Sequence, residues 1–389
     1  MIGGFLGAGK TTSVAALAEH LSATGRMVGL ITNDQGRELV DTAMLRSKGF
    51  ATEEIPGGCF CCRFNSLVDA AGKLTESTRP DVFIAEPVGS CTDLVATVTY
   101  PLRRMYGDDF SIAPLSVLVD PVRAARIFGL SEGGQFSQKV IYINRKQLEE
   151  ADLIVINKTD LLETDTLADL QAKLTEEFPN AEVLEISART GEGLEAWFAS
   201  ITDAEQIARN VMEVDYEVYA EGEALLGWLN ATVQLVDPKG FEARPVLQEF
   251  AATMQAYLSE QGAEIAHLKM TLSPDAGLGG DVAIINLVRN DFVPELSADL
   301  DAPIESGQLI INLRAEGDPE TLRAAVETAL ATAPAELAAT LDHLEHFRPG
   351  KPEPNPPLPQ QCRHTPKANH PNAPKDYRTM PERPAIFFV

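Results

Sequence analysis

Gly4-Phe5-Leu6-Gly7-Ala8-Gly9-Lys10-Thr11 fits the pattern G-x-x-x-x-G-K-[ST], and few stretches of eight residues restrict a fold as much. The glycines let backbone N–H groups close around a β-phosphate, Lys10 reaches the β and γ oxygens, and the Thr11 hydroxyl is placed for Mg²⁺. Gly7, Ala8, Gly9, Lys10, Thr11 and Thr12 are therefore the candidate contacts to phosphate. The apolar, capped stretch from Thr11 to Leu21 predicts a helix whose positive end faces the anion. Such a loop follows a buried central strand, yet only Met1 and Ile2 precede Gly3. A strand of about five or six residues with a short lead-in predicts a native start roughly ten residues upstream.

Beyond the loop, MVGLIT, DVFIA, LSVLV, LIVIN and AEVLEIS read as strands separated by amphipathic helical patterns, from residue 27 to about residue 200. Strand and helix in alternation predict an α/β fold, a P-loop NTPase with a doubly wound, mostly parallel sheet. After a linker near 203–216, the runs EALLGWLNATVQLV, DVAIINLV and QLIINLRA flank helical patterns at about 245–260 and 319–330. These predict a smaller C-terminal α+β domain on an antiparallel sheet. The expected units are 1–204 and 216–345, followed by a tail at 349–389. That tail carries 11 of the chain's 25 prolines, with six Lys or Arg against three Asp or Glu. Its composition predicts disorder or loose docking on the acidic body.

Composition excludes several classes of partner. A formal charge of -25 over 389 residues repels nucleic acid backbones and anionic membrane surfaces. No stretch approaches the run of about 20 apolar residues needed for a membrane span, and the first residues lack a signal peptide's basic start. The expected address is the cytoplasm, where the five cysteines would stay reduced.

Leu153-Ile154-Val155-Ile156 reads as a strand, and Asn157-Lys158-Thr159-Asp160 follows it directly. An Asp carboxylate there accepts both N1–H and the 2-amino group of guanine, which adenine cannot offer, while a backbone N–H in Ser187-Ala188 reaches guanine O6. Asn157, Lys158, Asp160, Ser187 and Ala188 are thus the candidate base contacts. Asp34 and Glu86 close two strands at the same edge of the sheet. Together with Thr11 they can hold Mg²⁺ or its waters, and with Lys10 they form the candidate catalytic set; the Gly89 N–H can sense the γ-phosphate. No arginine finger is identifiable, Arg37 and Arg63 being nearby only in sequence.

Cys59, Cys61 and Cys62 fall within four positions of GGCFCC. Three neighbouring thiols suit a soft or borderline cation, Zn²⁺, Co²⁺ or Cu⁺, and an incomplete set suits one that is released. Buried small side chains and a redox pair are the competing readings, the first disfavoured by the flanking glycines and Arg63. His343 and His346 read as one face of a helix, Cys362, His364 and His370 as tail residues able to pass metal, and His267 as a residue of an apolar strand.

Taken together, GGFLGAGKTT, TNDQG, GGCFCC, EPVG, NKTD and ISARTGEGL resemble the CobW-like branch of the metallochaperone GTPases. The likeness is specific over residues 1 to about 200 and looser to about 345. It implies slow hydrolysis of GTP with Mg²⁺, and cargo metal, Zn²⁺ or Co²⁺, held by Cys59, Cys61 and Cys62 in a loop coupled to the nucleotide. It also implies delivery to a metal-dependent client protein in the cytoplasm, and allows a homodimer. Asn33-Asp34-Gln35-Gly36 stands where relatives have N-E-F-G, and His267-Leu268-Lys269-Met270 where many have R-x-K-G. Two readings compete: a GTP-gated regulatory protein with structural or redox cysteines, and a P-loop kinase acting on a small acceptor.

Overall fold

The computed structural model describes residues 1–34, 40–106, 110–204, 206, 212–275, 282–352 and 386–388. Strand and helix alternate through the first half: β1 (Ile2–Gly4), α1 (Lys10–Ala23), β2 (Val28–Asp34), α2 (Val40–Ser47), β3 (Ala51–Pro56), α3 (Phe64–Ser77) and β4 (Val82–Glu86). There follow α4 (Tyr100–Tyr106), β5 (Phe110–Ile112), β6 (Ser116–Val119), α5 (Pro121–Ile127), α6 (Gln138–Glu150) and β7 (Leu153–Ile156). The half closes with α7 (Thr164–Glu177), β8 (Glu182–Glu185) and α8 (Leu194–Thr202).

All pairings in this half are parallel, in the orders β1-β6-β7-β8 and β3-β2-β4. Its central strands VFIAE, SVLV and LIVI are buried at every residue. That follows from helices covering both faces, which turns alternation into continuous apolar runs. Two apolar clusters flank the sheet, one around Leu17, Leu30 and Trp197, the other around Phe60, Phe83 and Ile154.

The second half begins with α9 (Tyr216–Leu225), capped by the Asp215 carboxylate on the N–H groups of Glu217 and Val218. Then come β9 (Leu226–Phe241), α10 (Ala243–Glu260), β10 (Glu264–Pro274), β11 (Ala283–Leu287), β12 (Glu295–Ala298), β13 (Ile304–Glu316), α11 (Pro319–Ala331) and β14 (Ala338–Phe347). The strands form an antiparallel sheet in the order β12-β11-β10-β13-β9-β14. Alternation decides its two faces. Leu229, Ala231, Leu268, Met270, Ile311 and Leu313 pack under α10 and α11, whereas Trp228, His267, Lys269, Asn312 and Arg314 line a cavity over the phosphate loop.

One expectation is corrected. His343 and His346 lie on β14, not a helix, so their spacing does not put them on one face. The segment is held extended by its ladder to β9, and a register irregularity falls between Leu341 and His343. Of the tail, expected to be disordered or loosely docked, the described end forms β15 (Ile386–Phe388), paired in parallel with both β4 and β5. Apolar, β-favouring residues satisfy two ladders there, which the proline count of the whole segment conceals. Cys362, His364 and His370 lie outside the described residues, among which no helix is long and apolar enough to cross a membrane.

The end of α6 carries a test of stability. Glu150 is buried, its two oxygens accepting from Thr92 Oγ1 at 3.2 Å and from the Val95 N–H at 3.1 Å. Burial, aided by Asp93, raises its pKa to about 8 from 4.5. A raised carboxyl favours folding below the unfolded value and loses that contribution as pH climbs through the folded one. Glu150→Gln, which keeps the shape and the Val95 contact, is expected to stabilise the fold by a few kcal/mol at pH 8.5 and by little at pH 5. Urea midpoints at the two pH values measure this; equal shifts at both would show that Glu150 is not protonated in the fold.

Candidate nucleotide and thiol site

The phosphate loop joins β1 to α1 as its motif requires. Gly9 has φ 89°, and a Cβ there would lie 2.4 Å from Asn157 Nδ2, so only glycine fits between the loop and the Asn157 side chain. Lys10 is buried with Nζ on the carbonyls of Gly4 at 3.0 Å and Phe5 at 3.4 Å. Thr11 Oγ1 donates to Glu86 Oε1 at 3.0 Å, while Thr12 is exposed on α1. A hydroxyl beside a buried carboxylate is a pair of hard oxygen donors, the set Mg²⁺ selects. Asp34 ends β2 beside Pro56, and its side chain lies outside the described residues. Gly89 packs on the loop itself: a Cβ there would stand 2.7 Å from Leu6 Cδ2 and 3.0 Å from the Leu6 nitrogen.

Asn157 ties three segments together. Its Nδ2 donates to the Ala8 carbonyl at 2.9 Å, and its Oδ1 accepts from the N–H groups of Lys158 at 2.8 Å and Ala188 at 3.0 Å. Lys158 Nζ reaches the Gly7 carbonyl at 2.7 Å and Asp120 Oδ2 at 3.0 Å. Burial works to raise Asp120, but Lys158, Arg123 and Arg289 outweigh it and hold the carboxyl at about 2. Asp160 accepts from Ser187 Oγ at 2.7 Å and from Arg189. Partial burial would lift this carboxyl, yet the Ser187 bond and the Arg189 charge bring it below its ordinary value. Arg189 also reaches Glu295 on β12 at 2.5 Å, so one guanidinium links the expected base contact to the second half.

That half supplies residues the motifs do not announce. Lys269 Nζ lies 3.3 Å from Thr11 Oγ1. His267 is pushed well below its usual range, first by burial and then by Lys269, Lys10, Lys158 and Arg314. These groups face a cavity of 710 Å³ whose walls also include Lys10, Thr11, Glu86, Asn157 and Asp160. Its size suits a nucleotide, and its cations suit a polyphosphate.

The cysteines lie in the loop between β3 and α3. Sγ atoms of Cys59, Cys61 and Cys62 all fall within 4.8 Å of one another: 2.6 Å from Cys59 to Cys61, 3.2 Å from Cys59 to Cys62, and 3.7 Å between Cys61 and Cys62. Their loop closes through N–H groups of Cys62 and Arg63 on the Cys59 carbonyl. The expectation of a poorly buried loop is corrected here. Cys59 and Cys61 are 5% and 1% exposed, because Phe60 at 0% is driven into the core and Phe64 with Leu67 of α3 covers it. Asn33 at the end of β2 donates to Ile55 at 2.9 Å and Gly58 at 2.5 Å, fastening the cysteine loop to the strand that ends in Asp34.

A fourth thiol was not foreseen. Cys91 is buried and 3.6 Å from Cys61. Its thiol contacts with Cys59 and Cys61 lower its pKa against the opposing effect of burial, and the same contacts push Cys61 well up. Its one sequence signal is its place just after Glu86-Pro87-Val88-Gly89.

Residues 1–185 match the family model described as CobW/HypB/UreG, nucleotide-binding domain. Over 164 residues the chain is 33% identical to the zinc chaperone YeiR of Escherichia coli K12, covering 41% of this chain and 46% of that one. Over 214 residues it is 29% identical to the zinc chaperone CobW of Sinorhizobium, covering 49% and 59%. The chain thus spans about half the length of the curated relatives it matches. A solved structure, the Zn(II)-bound YjiA GTPase from E. coli, aligns over 84% of this chain and 96% of its own at 14% identity with a TM-score of 0.34, too low to carry an argument.

Proposed function

Residues 1–185 match the CobW/HypB/UreG nucleotide-binding domain, and we propose that the protein is a GTP-hydrolysing metallochaperone that carries Zn²⁺ or Co²⁺ on Cys59, Cys61 and Cys62 to a metal-dependent client. One observation supports this above the others: three thiols within 4.8 Å of one another sit in a loop fastened through Asn33 to the strand that ends in Asp34. Thiolates select borderline cations over Mg²⁺, and three of them leave a position from which the ion can be handed on.

In this reading Gly7, Ala8, Gly9, Lys10, Thr11 and Thr12 bind the phosphates, and Asn157, Lys158, Asp160, Ser187 and Ala188 the guanine. Guanine takes the place of Arg189 at Asp160. Lys10 leaves the carbonyls of Gly4 and Phe5 for the phosphates, and Asp34 and Glu86 orient the attacking water near the Gly89 N–H. Thr11 and Glu86 with Asp34 would hold Mg²⁺, which when bound neutralises charge on the β- and γ-phosphates. The thiols must stay reduced, so the cytoplasm is the fitting address.

Zn²⁺ titrated against a thiol-competitive chelator is expected to bind with different affinity to protein loaded with a non-hydrolysable GTP analogue and with GDP. Linkage then requires metal to change nucleotide affinity by the same factor. Equal metal affinity in the two states would remove gating, and no sulfur-bound metal in either would remove the chaperone.

A further inference from the structure

Cys91 belongs to no C-x-C-C pattern and enters the thiol cluster from the turn that follows β4. Its Sγ is 3.6 Å from that of Cys61. In a tetrahedral zinc site with Zn–S of about 2.3 Å, ligand sulfurs stand about 3.8 Å apart. The pairs Cys61–Cys91, Cys61–Cys62 and Cys59–Cys62, at 3.6, 3.7 and 3.2 Å, are near that spacing. Cys59 and Cys61, at 2.6 Å, must part by about an ångström to hold one ion. Cys91 stands outside the group of three that are all mutually close, so a closed four-sulfur cage needs Cys91 to move in as well as Cys59 and Cys61 to part.

A buried cysteine is most often a small apolar filler. Two features separate this one. It meets sulfur, and the turn that carries it is gripped by polar side chains. Gln147 Nε2 on α6 donates to the carbonyls of both Gly89 and Cys91 at 2.9 Å. On α9, the Tyr219 hydroxyl donates to the Ser90 carbonyl at 3.1 Å, and Glu223 accepts from Ser90 Oγ at 2.6 Å. Residues 89–91 are thus held as a unit, with one end packed on Leu6 of the phosphate loop and the other against Cys61.

We propose that Cys91 is the fourth sulfur ligand of the cargo cation, brought to Cys59, Cys61 and Cys62 or drawn away from them by the Gly89–Cys91 turn according to the nucleotide bound. This rests on the metallochaperone reading above. Four thiolates close the site around a borderline cation such as Zn²⁺; withdrawing one leaves three and an open position through which the ion departs.

X-ray absorption of Zn²⁺ bound to the full chain counts the sulfurs directly and needs no variant. Four are expected with a non-hydrolysable GTP analogue and three plus a lighter atom with GDP. Cys91→Ser is expected to weaken Zn²⁺ binding about 100-fold in the GTP-analogue state and to leave GDP-state binding unchanged. Cys91→Ala and unaltered GTP affinity in both variants guard against misfolding. Three sulfurs in both nucleotide states of the unaltered protein would overturn the inference, as would Cys91→Ser binding as tightly as the parent. Metal lost in Cys61→Ser but indifferent to Cys91→Ser would sink this inference alone; no sulfur ligation in the unaltered protein would sink the chaperone reading with it.

Discussion

Serine at Cys59, Cys61 and Cys62 together is expected to lower Zn²⁺ affinity on the order of 10⁴-fold or more, while GTP affinity measured without metal changes less than about threefold. A serine hydroxyl stays protonated at neutral pH and is a hard donor, so the exchange removes three anionic soft ligands and keeps the loop's shape. Two of the three sites are buried, and a hydroxyl there costs about 1–3 kcal/mol unless it finds a partner. The triple variant should therefore melt lower, and Cys62→Ser, at the half-buried position, separates lost ligation from lost stability. Zn²⁺ affinity by chelator competition within tenfold of the parent would show that the cargo is not held by these thiols. Reciprocity adds a second readout: saturating Zn²⁺ should shift GTP affinity in the parent protein and not in the triple variant.

What the sequence disclosed, and what it withheld, divides along physical lines. The phosphate loop, Asn157 to Asp160 and the buried strands were readable because each is set by local spacing: a turn that only glycine can make, or an apolar run between helices. Cys91 was not, because it joins Cys61 across 30 positions and meets it only once β2 lies between β3 and β4. The alternation in His267-Leu268-Lys269-Met270 was visible, yet nothing in it tells that the polar face of β10 covers Thr11 rather than water. That depends on how the halves dock, which is settled by contacts far apart in sequence, such as Arg123 from α5 on the carbonyls of Leu6 at 2.8 Å and Ile265 at 3.2 Å. The helix expected at His343 and His346 failed for the same reason: ladder bonds to β9 outweigh a local helical pattern.

Asp160→Asn is expected to raise the Kd for GTP about 100-fold and to bring XTP within about tenfold of the parent's GTP affinity. The carboxylate can accept from both N1–H and the 2-amino group of guanine; an amide presents one acceptor and one donor, the pattern that xanthine's 2-carbonyl satisfies. Ser187 Oγ, now 2.7 Å from Asp160 Oδ1, can keep its bond to the Asn oxygen, so the side chain should hold its place. Arg189 is held less tightly there, because an amide oxygen offers its guanidinium no opposite charge. Its other partner, Glu295 on β12, then keeps it, and the pair with Asp160 no longer opposes entry of the base. Released from that competition, the variant should bind XTP at a rate set by the cavity alone. Nucleotide competition with GTP, XTP and ATP measures the outcome. A variant that loses GTP and XTP alike would show that Asp160 maintains the loop without reading the base, and one that keeps GTP would end the case for guanine recognition at this position.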